Sequence, residues 1–160
     1  MDIDIYSPLY IKHISKFSIL SFQITKICVY ILKGVITIEQ SLILIKPDAL
    51  KRNLVGNILK TYEENNLSIK NIKFIEATKE QAINHYLEHK NKSFFNELIE
   101  YITSGPLVAA IIEGDNAIKK VRSINNDIRE CYALDITQNS VHGSDSIKSA
   151  NREIDIWFKK

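Results

Sequence analysis

Six consecutive apolar residues, 107–112 (LVAAII), follow a Ser104-Gly105-Pro106 turn and constrain the fold more than any other part of the chain. An uninterrupted apolar run bounded by turn residues is typical of a strand that is covered on both faces of a sheet. We therefore expect a central strand here, with the other elements arranged around it.

Further strands and helices alternate along the chain on both sides of this run. Residues 40–46 predict another buried strand, which ends at Pro47, and residues 67–75 alternate as a third. Thr78 with Gln81 three residues later forms a capping box, which opens a helix through His89. The other predicted elements are a helix with Leu54, Ile58, Leu59 and Tyr62 at helical spacing, a short helix from Ser93 to Tyr101, a helix over residues 116–123 capped by Asp115, a weak strand around residues 136–142, and a final amphipathic helix with Ile147, Ala150, Ile154 and Trp157.

This order of elements, β-α-β-α-α-β-α-β-α, contains the split βαβ repeat. It predicts an α+β fold with a ferredoxin-like βαββαβ antiparallel sheet and helices packed on it.

The N-terminal 37 residues differ in character from the rest. They hold four lysines and two aspartates, and so the whole net charge of +2, whereas residues 38–160 hold 17 basic and 17 acidic groups. That balance gives no reason to expect a dedicated nucleic-acid partner. The apolar stretch at 5–37 is interrupted by Gln23 and Lys26, so it falls short of a membrane span, and no clear signal peptide is present. We predict an extension at 1–37, which is disordered, a targeting segment or the product of too early a start site, and one domain at 38–160.

Common motifs for cofactors and metals are absent from the sequence. There is no GxxxxGK[ST], GxGxxG or HExxH, and Cys28 and Cys131 form neither a disulfide framework nor a Cys/His cluster. Two reduced cysteines are typical of a cytoplasmic protein. The remaining chemistry lies in side chains that suit phosphate.

The segment Asn139-Ser140-Val141-His142-Gly143-Ser144-Asp145-Ser146 places an imidazole between a strand and the start of a helix. The free N–H groups of a helix N-terminus favour a nearby anion, and a neutral histidine can attack phosphorus. The alternative is that the serines and Asp145 only cap the helix and that His142 is an ordinary core or surface residue. Spacing alone leaves both interpretations open.

Three basic residues are further candidates. Lys46 directly follows the first strand, and Pro47 ends the pairing there. Arg122 and Arg129 are two of four arginines in a chain with 17 lysines, and a planar guanidinium suits bidentate phosphate binding. Taken alone, Lys46 is better interpreted as a solvated lysine, and Tyr86 and Phe94 are more often core residues than ligand contacts.

Together these residues resemble the nucleoside diphosphate kinases. The resemblance covers residues 39–158 and rests on an ordered series: SLILIKPDALKRNLVG, HYLEHKNKSFF, YITSGPLVAAIIEG and NSVHGSDSIKSANREIDIWF. It implies a ferredoxin-like core, assembly into a hexamer or tetramer, and transfer of the γ-phosphate of ATP to another nucleoside diphosphate through a phosphohistidine. Magnesium is expected to arrive with the nucleotide, held by phosphates and water.

The resemblance also implies a role for each matching residue. His142 matches the nucleophile, Glu153 the carboxylate that orients it, and Ser144 its hydrogen-bonded neighbour. The residues expected to bind nucleotide are Lys46, Tyr86, Arg122 and Arg129 around the phosphates and ribose, Asn139 at the 3′-hydroxyl, and Phe94 and Ile136 on the two faces of the base.

The sequence departs from the family between Arg122 and Arg129, where only Ser-Ile-Asn-Asn-Asp-Ile remains of a loop that is usually longer by roughly ten residues. The missing part usually carries a threonine that contacts phosphate and a loop near the hexamer's threefold axis. Asp127 stands near the shortened junction, where a carboxylate would repel phosphates. Two alternatives to an active kinase therefore remain: a nucleotide-binding relative without turnover, and a ferredoxin-like regulatory or interaction domain.

Overall fold

The computed structural model describes residues 38–159, and the predictions for residues 1–37 lie outside this range. Its elements, in chain order, are β1 (Ile38–Ile45), α1 (Pro47–Lys51), α2 (Val55–Glu64), β2 (Ser68–Glu76), α3 (Lys79–His85), a 3₁₀ turn (Leu87–His89), α4 (Phe95–Ile102), β3 (Pro106–Asp115), α5 (Ala117–Tyr132), β4 (Val141–Gly143) and α6 (Ile147–Phe158).

The four strands form one antiparallel sheet in the order β2-β3-β1-β4. This confirms the predicted α+β, ferredoxin-like sheet and the central position of the apolar run in β3. The short strand β4 lies at one edge, where His142 pairs with Leu44 of β1.

Helices cover both faces of the sheet, which explains why β1 and β3 are almost continuously apolar. On one face, Ile43 and Ile45 pack with α2 and α5, and on the other face Leu42 and Leu44 pack with α3, α4 and α6. Alternate side chains of β1 are buried against two layers of helices, so β4 pairs with a strand that lies in the core.

Helix α5 differs from its prediction. It runs to Tyr132 instead of ending at Ser123, because Val121, Ile124 and Ile128 continue a buried stripe through the polar stretch. Arg122 and Arg129 consequently lie on one helix, two turns apart.

The predicted cap of α5 is also wrong. Asp115 ends β3, and Asn116, in the left-handed region at φ 51°, is the N-cap without a side-chain bond. The carboxylate of Glu39, on β1, instead accepts a hydrogen bond from Ile118 N at 3.1 Å.

Two smaller predictions need correction and two are confirmed. The helix after Thr78 ends at His85 and gives way to the 3₁₀ turn, and the weak strand around 136–142 shrinks to Val141–Gly143. The capping box of Thr78 and Gln81 is present, as is the final amphipathic helix. Within residues 38–159, no helix is both long and apolar enough to cross a membrane.

Candidate active site

His142 lies on the edge strand β4 at the wall of a cleft of about 240 Å³. The cleft brings together several residues that the sequence singled out, which come from the α3 end, α5, β4 and α6. The lining residues among these are Tyr86, Arg122, Arg129, His142 and Glu153. Asp127 is exposed on α5 and does not line the cleft. Its carboxylate is therefore not among the residues that would face phosphate there, contrary to the expectation from the sequence.

A chain of hydrogen bonds holds the imidazole. Glu153 is 4% exposed, and its Oε2 lies 3.2 Å from His142 Nε2 and accepts from Ser144 Oγ at 2.6 Å. The Ser144 hydroxyl in turn accepts from Leu42 N at 3.1 Å. Because a carboxylate accepts, the neutral imidazole carries its proton on Nε2 and keeps the lone pair on Nδ1.

Local sequence explains why Glu153 is placed so well. Ser146 is the N-cap of α6, and its hydroxyl accepts from Ser149 N at 3.1 Å in a capping box. Two helical turns later, Glu153 lies on the buried face with Ala150 and Trp157. The prediction that a serine of this segment caps the helix is therefore confirmed for Ser146, whereas Ser144 bonds to Glu153.

Four donors of residues that line the cleft are buried without a hydrogen-bond partner in the described part of the chain: the Tyr86 hydroxyl, Arg129 Nε, His85 Nε2 and Arg152 Nε. Burial raises the pKa of Tyr86 and lowers the pKa of Arg129. Arg129 Nη2 donates to Val141 O at 2.9 Å, which fixes the guanidinium beside β4. Buried polar groups are nearly always paired, so these donors are suited to a ligand that carries acceptors.

Lys46 and Asn139 form a second group, outside the residues that line the cleft. Lys46 is 5% exposed, and its Nζ donates to Asn139 Oδ1 at 2.7 Å. Burial, reinforced by the charge of Arg129 and opposed by Asp48 and Asp135, lowers the pKa of Lys46 to about 8. Arg129, whose charge helps to lower the pKa of Lys46, also lines the cleft.

Phe94 and Ile136 are exposed by 48% and 93%. Phe94 directly precedes α4, and Ile136 lies in the segment before β4. Thr137 Oγ1 donates to Glu97 Oε1 at 3.0 Å and joins the two segments. Neither apolar side chain lines the cleft, and both face solvent.

Sequence reasoning missed His85. It is 3% exposed, its ring contacts that of His142 edge to face with centroids 4.4 Å apart, and its Nδ1 accepts from Trp157 Nε1 at 3.1 Å. His142 and Trp157 lie 57 and 72 positions away along the chain, so no local motif marks His85. Burial holds the pKa of His85 well below its ordinary value, so this ring stays neutral.

Donor atoms of His85, His142 and Glu153 lie within 4.8 Å of one another, which is close enough for a metal ion. The hydrogen bond from Trp157, however, occupies the lone pair of His85 Nδ1 and leaves a proton on Nε2. The other cleft carboxylates are also engaged, Glu88 with Arg152 and Asp145 with Ser149. The cleft therefore offers a metal no prepared set of protein ligands.

An imidazole oriented by a buried carboxylate, in a cleft with three arginines on an α+β scaffold, is the arrangement expected of an enzyme that transfers phosphoryl groups. The family model for nucleoside diphosphate kinase matches residues 39–160. The chain belongs to the nucleoside diphosphate kinase family.

Individual relatives agree with this assignment. A nucleoside diphosphate kinase of Clostridium perfringens is 52% identical over 133 residues, 77% of this chain and 93% of the relative. One of Thermoplasma volcanium is 45% identical over 130 residues, 75% of this chain and 88% of the relative. The crystal structure of the Aquifex aeolicus nucleoside diphosphate kinase superposes with a TM-score of 0.74 at 37% identity, over 77% of this chain and 96% of that chain.

Proposed function

We propose that this chain is an active nucleoside diphosphate kinase, which moves the γ-phosphate of a nucleoside triphosphate to a nucleoside diphosphate by way of phospho-His142. The observation that carries the proposal is the hydrogen bond of His142 Nε2 to Glu153, which leaves Nδ1 as the nucleophilic atom at the cleft. Family membership supports the overall reaction.

In the first half-reaction, Nδ1 forms a bond to the γ-phosphorus while the bond from that phosphorus to the β–γ bridging oxygen breaks, and the diphosphate leaves. The imidazole becomes positively charged as it is phosphorylated, and the Glu153 carboxylate stabilises that charge through Nε2–H. In the second half-reaction a terminal oxygen of another nucleoside diphosphate forms a bond to the same phosphorus while the bond from phosphorus to Nδ1 breaks, and its electron pair restores neutral His142.

Arg122, Arg129 and Tyr86 are proposed to stabilise the negative charge of the phosphate oxygens. Phosphoryl transfer depends mainly on positioning and on stabilising charge at the phosphate oxygens. The unpaired Tyr86 hydroxyl and Arg129 Nε are donors already desolvated at the cleft, so their bonds to phosphate need no further loss of water.

Lys46 and Asn139 are proposed to bind the sugar and the adjoining phosphates, and Phe94 and Ile136 to cover the base. The bond between Lys46 and Asn139 supports their joint role. Exposed apolar side chains on two bonded segments support contact with a flat base, and because every base has a π-face, such a site tolerates different bases.

Mg²⁺ is proposed to enter with the nucleotide, because the cleft carboxylates are already engaged by His142, Ser144, Arg152 and Ser149. When bound, the ion would neutralise part of the phosphate charge. Arg122 and Arg129, which line the cleft, would contact the phosphate oxygens.

We also propose that the chain forms a homo-oligomer in the cytoplasm. The edge strand β2 exposes Phe74 and Ile72 by 70% and 46%, which supports contact with a second copy, since exposed apolar edge strands favour pairing. The cysteine usage described above supports a reducing compartment.

Steady-state kinetics test the proposed function. Initial rates measured with ATP and a second nucleoside diphosphate should give parallel double-reciprocal lines, the pattern of a covalent intermediate. His142→Asn should remove activity while the variant still binds ADP. Intersecting lines, or activity in His142→Asn, would contradict transfer through this residue.

A further inference from the structure

The outer edge of β4 has no neighbouring strand among the described residues, since β4 is last in the order β2-β3-β1-β4. Ser144 N donates to Leu42 O, and His142 pairs with Leu44, so the backbone groups at 142 and 144 face β1. Backbone N–H and C=O groups point to alternate sides along a strand, so those of Val141 and Gly143 point away from β1. An outward N–H or C=O that is shielded from water needs another partner.

Helix α5 supplies the partner of Gly143. The side-chain amide of Asn125, a residue 2% exposed, lies against Gly143 N, and its oxygen and nitrogen are assigned from the hydrogen bonds that each can make. With the oxygen 3.2 Å from Gly143 N, the nitrogen lies 3.2 Å from Val121 O and 2.5 Å from the Tyr62 hydroxyl. The reverse orientation would set an amide N–H against the Gly143 N–H. Asn125 therefore accepts from the backbone of the residue that directly follows His142.

The same helix bonds the residue before His142, because Arg129 Nη2 donates to Val141 O at 2.9 Å. The approach is close: a Cβ on Gly143 would lie 2.5 Å from the Asn125 amide and 2.7 Å from Val121 Cγ1. Two side chains of α5 thus complete the hydrogen bonds of β4 on both sides of His142, as an adjacent strand would.

We propose that Asn125 is a positioning residue, which fixes the backbone at Gly143 and through it the direction in which His142 presents Nδ1. This inference rests on the proposed function and deepens it. Asn125 belongs to the short stretch between Arg122 and Arg129, where the usual loop is missing. This stretch therefore supplies a hydrogen bond to β4, the strand that carries His142. The carboxylate of Glu153 sets the ring, and Asn125 sets the backbone that carries the ring.

The test compares two substitutions of similar size in the full chain. Asn125→Leu removes the acceptor, whereas Asn125→Asp keeps an oxygen for Gly143 N. Asn126→Leu is the matched control, because Asn126 is the next residue of α5 and is exposed. Rapid-quench labelling with γ-³²P-ATP gives the rate of His142 phosphorylation, and ADP titration gives the binding constant separately.

We expect Asn125→Leu to slow phosphorylation by about tenfold or more, since small displacements of a reacting group are costly, with ADP affinity within about twofold of wild type. Asn125→Asp should recover most of the rate, and Asn126→Leu should match wild type. If Asn125→Leu labels as fast as wild type, the positioning role is wrong although the kinase function stands. If the wild-type chain itself takes no label, the proposed function fails instead.

Hydrogen exchange at the Gly143 amide keeps the proposal testable should Asn125→Leu fail to fold. In the wild-type chain this amide should exchange as slowly as that of His142, and protection should persist in Asn125→Asp. An unprotected Gly143 amide in the folded wild-type chain would overturn the proposal.

Discussion

Oε2 of Glu153 lies 3.2 Å from Nε2 of His142, and the carboxylate is buried on α6 while the imidazole is on the sheet edge. Ser144 donates to the same oxygen at 2.6 Å, so the carboxylate cannot swing away without losing two bonds. The pair therefore sets both the tautomer and the direction of the ring, and the first prediction tests this consequence.

Glu153→Gln should lower kcat by roughly tenfold to a hundredfold, by analogy with the loss of carboxylates that orient metal-bound histidines. An amide keeps the size of the side chain but removes the negative charge that stabilises a phosphorylated imidazole. KM for the nucleotide should change little, because Glu153 contacts His142 and not the proposed phosphate positions. Steady-state kinetics measure both constants.

Glu88→Gln is the matched control for this change. Glu88 also lines the cleft, but it is bonded to Arg152 and is exposed by 63% at its side chain. Its substitution should leave kcat near wild type. Equal losses of kcat in the two variants would mean that kcat depends on the overall charge of the cleft and not on the bond between Glu153 and His142.

Nucleotide affinity should fall as the pH rises through about 8, because burial lowers the pKa of Lys46 to about 8. The protonated lysine attracts phosphate, and at pH 9 about a tenth of the free enzyme retains that proton. KM should therefore rise up to about tenfold between pH 7 and pH 9. Lys46→Met should have a high KM that is flat over this range, and a parallel rise in the variant would assign the pH dependence to another group.

Gly143→Ala should destabilise the fold by about 1–3 kcal/mol, the cost of overpacking, because the new Cβ would meet Asn125 and Val121 at under 3 Å. Urea unfolding followed by circular dichroism measures the loss. Gly56→Ala is the control: nothing lies within 4 Å of its Cβ in α2, and the change should stabilise by up to about 1 kcal/mol. An unchanged midpoint for Gly143→Ala would contradict the close packing of α5 on β4.

Glu39→Ala should cost about 1 kcal/mol of unfolding free energy, the usual price of a lost helix cap, because it removes the acceptor for Ile118 N. Asp115→Ala, at the position where the sequence alone predicts the cap, should change stability by less than about 0.5 kcal/mol. Thermal or urea unfolding of both variants gives the comparison. The reverse order of effects would restore Asp115 as the cap.

Local pattern was enough to predict the sheet and most helices. Some elements are determined by residues that are close together in the sequence. These are the apolar runs of β1 and β3, the capping box at Thr78 and the helical spacing from Ile147 to Trp157. The series ending in HGSDS added the family, and with it the candidate site residues.

The parts that escaped prediction depend on distant residues. The Asn-Asn-Asp stretch within α5 has weak helix propensity, and it stays helical because Ile124 and Ile128 are buried beneath it. Glu39 caps α5 from 79 residues away, and Trp157 holds His85 from 72 residues away. No window along the sequence contains both partners of such contacts.

The central claim is that His142 carries the phosphoryl group between two nucleotides. Incubation with γ-³²P-ATP and Mg²⁺, removal of nucleotide and addition of an unlabelled nucleoside diphosphate test it in one experiment. We predict an acid-labile, base-stable label on the wild-type chain, absent from His142→Asn, that passes quantitatively to the added diphosphate. A chain that takes no label, or a label that remains on the protein after the diphosphate is added, would contradict the account.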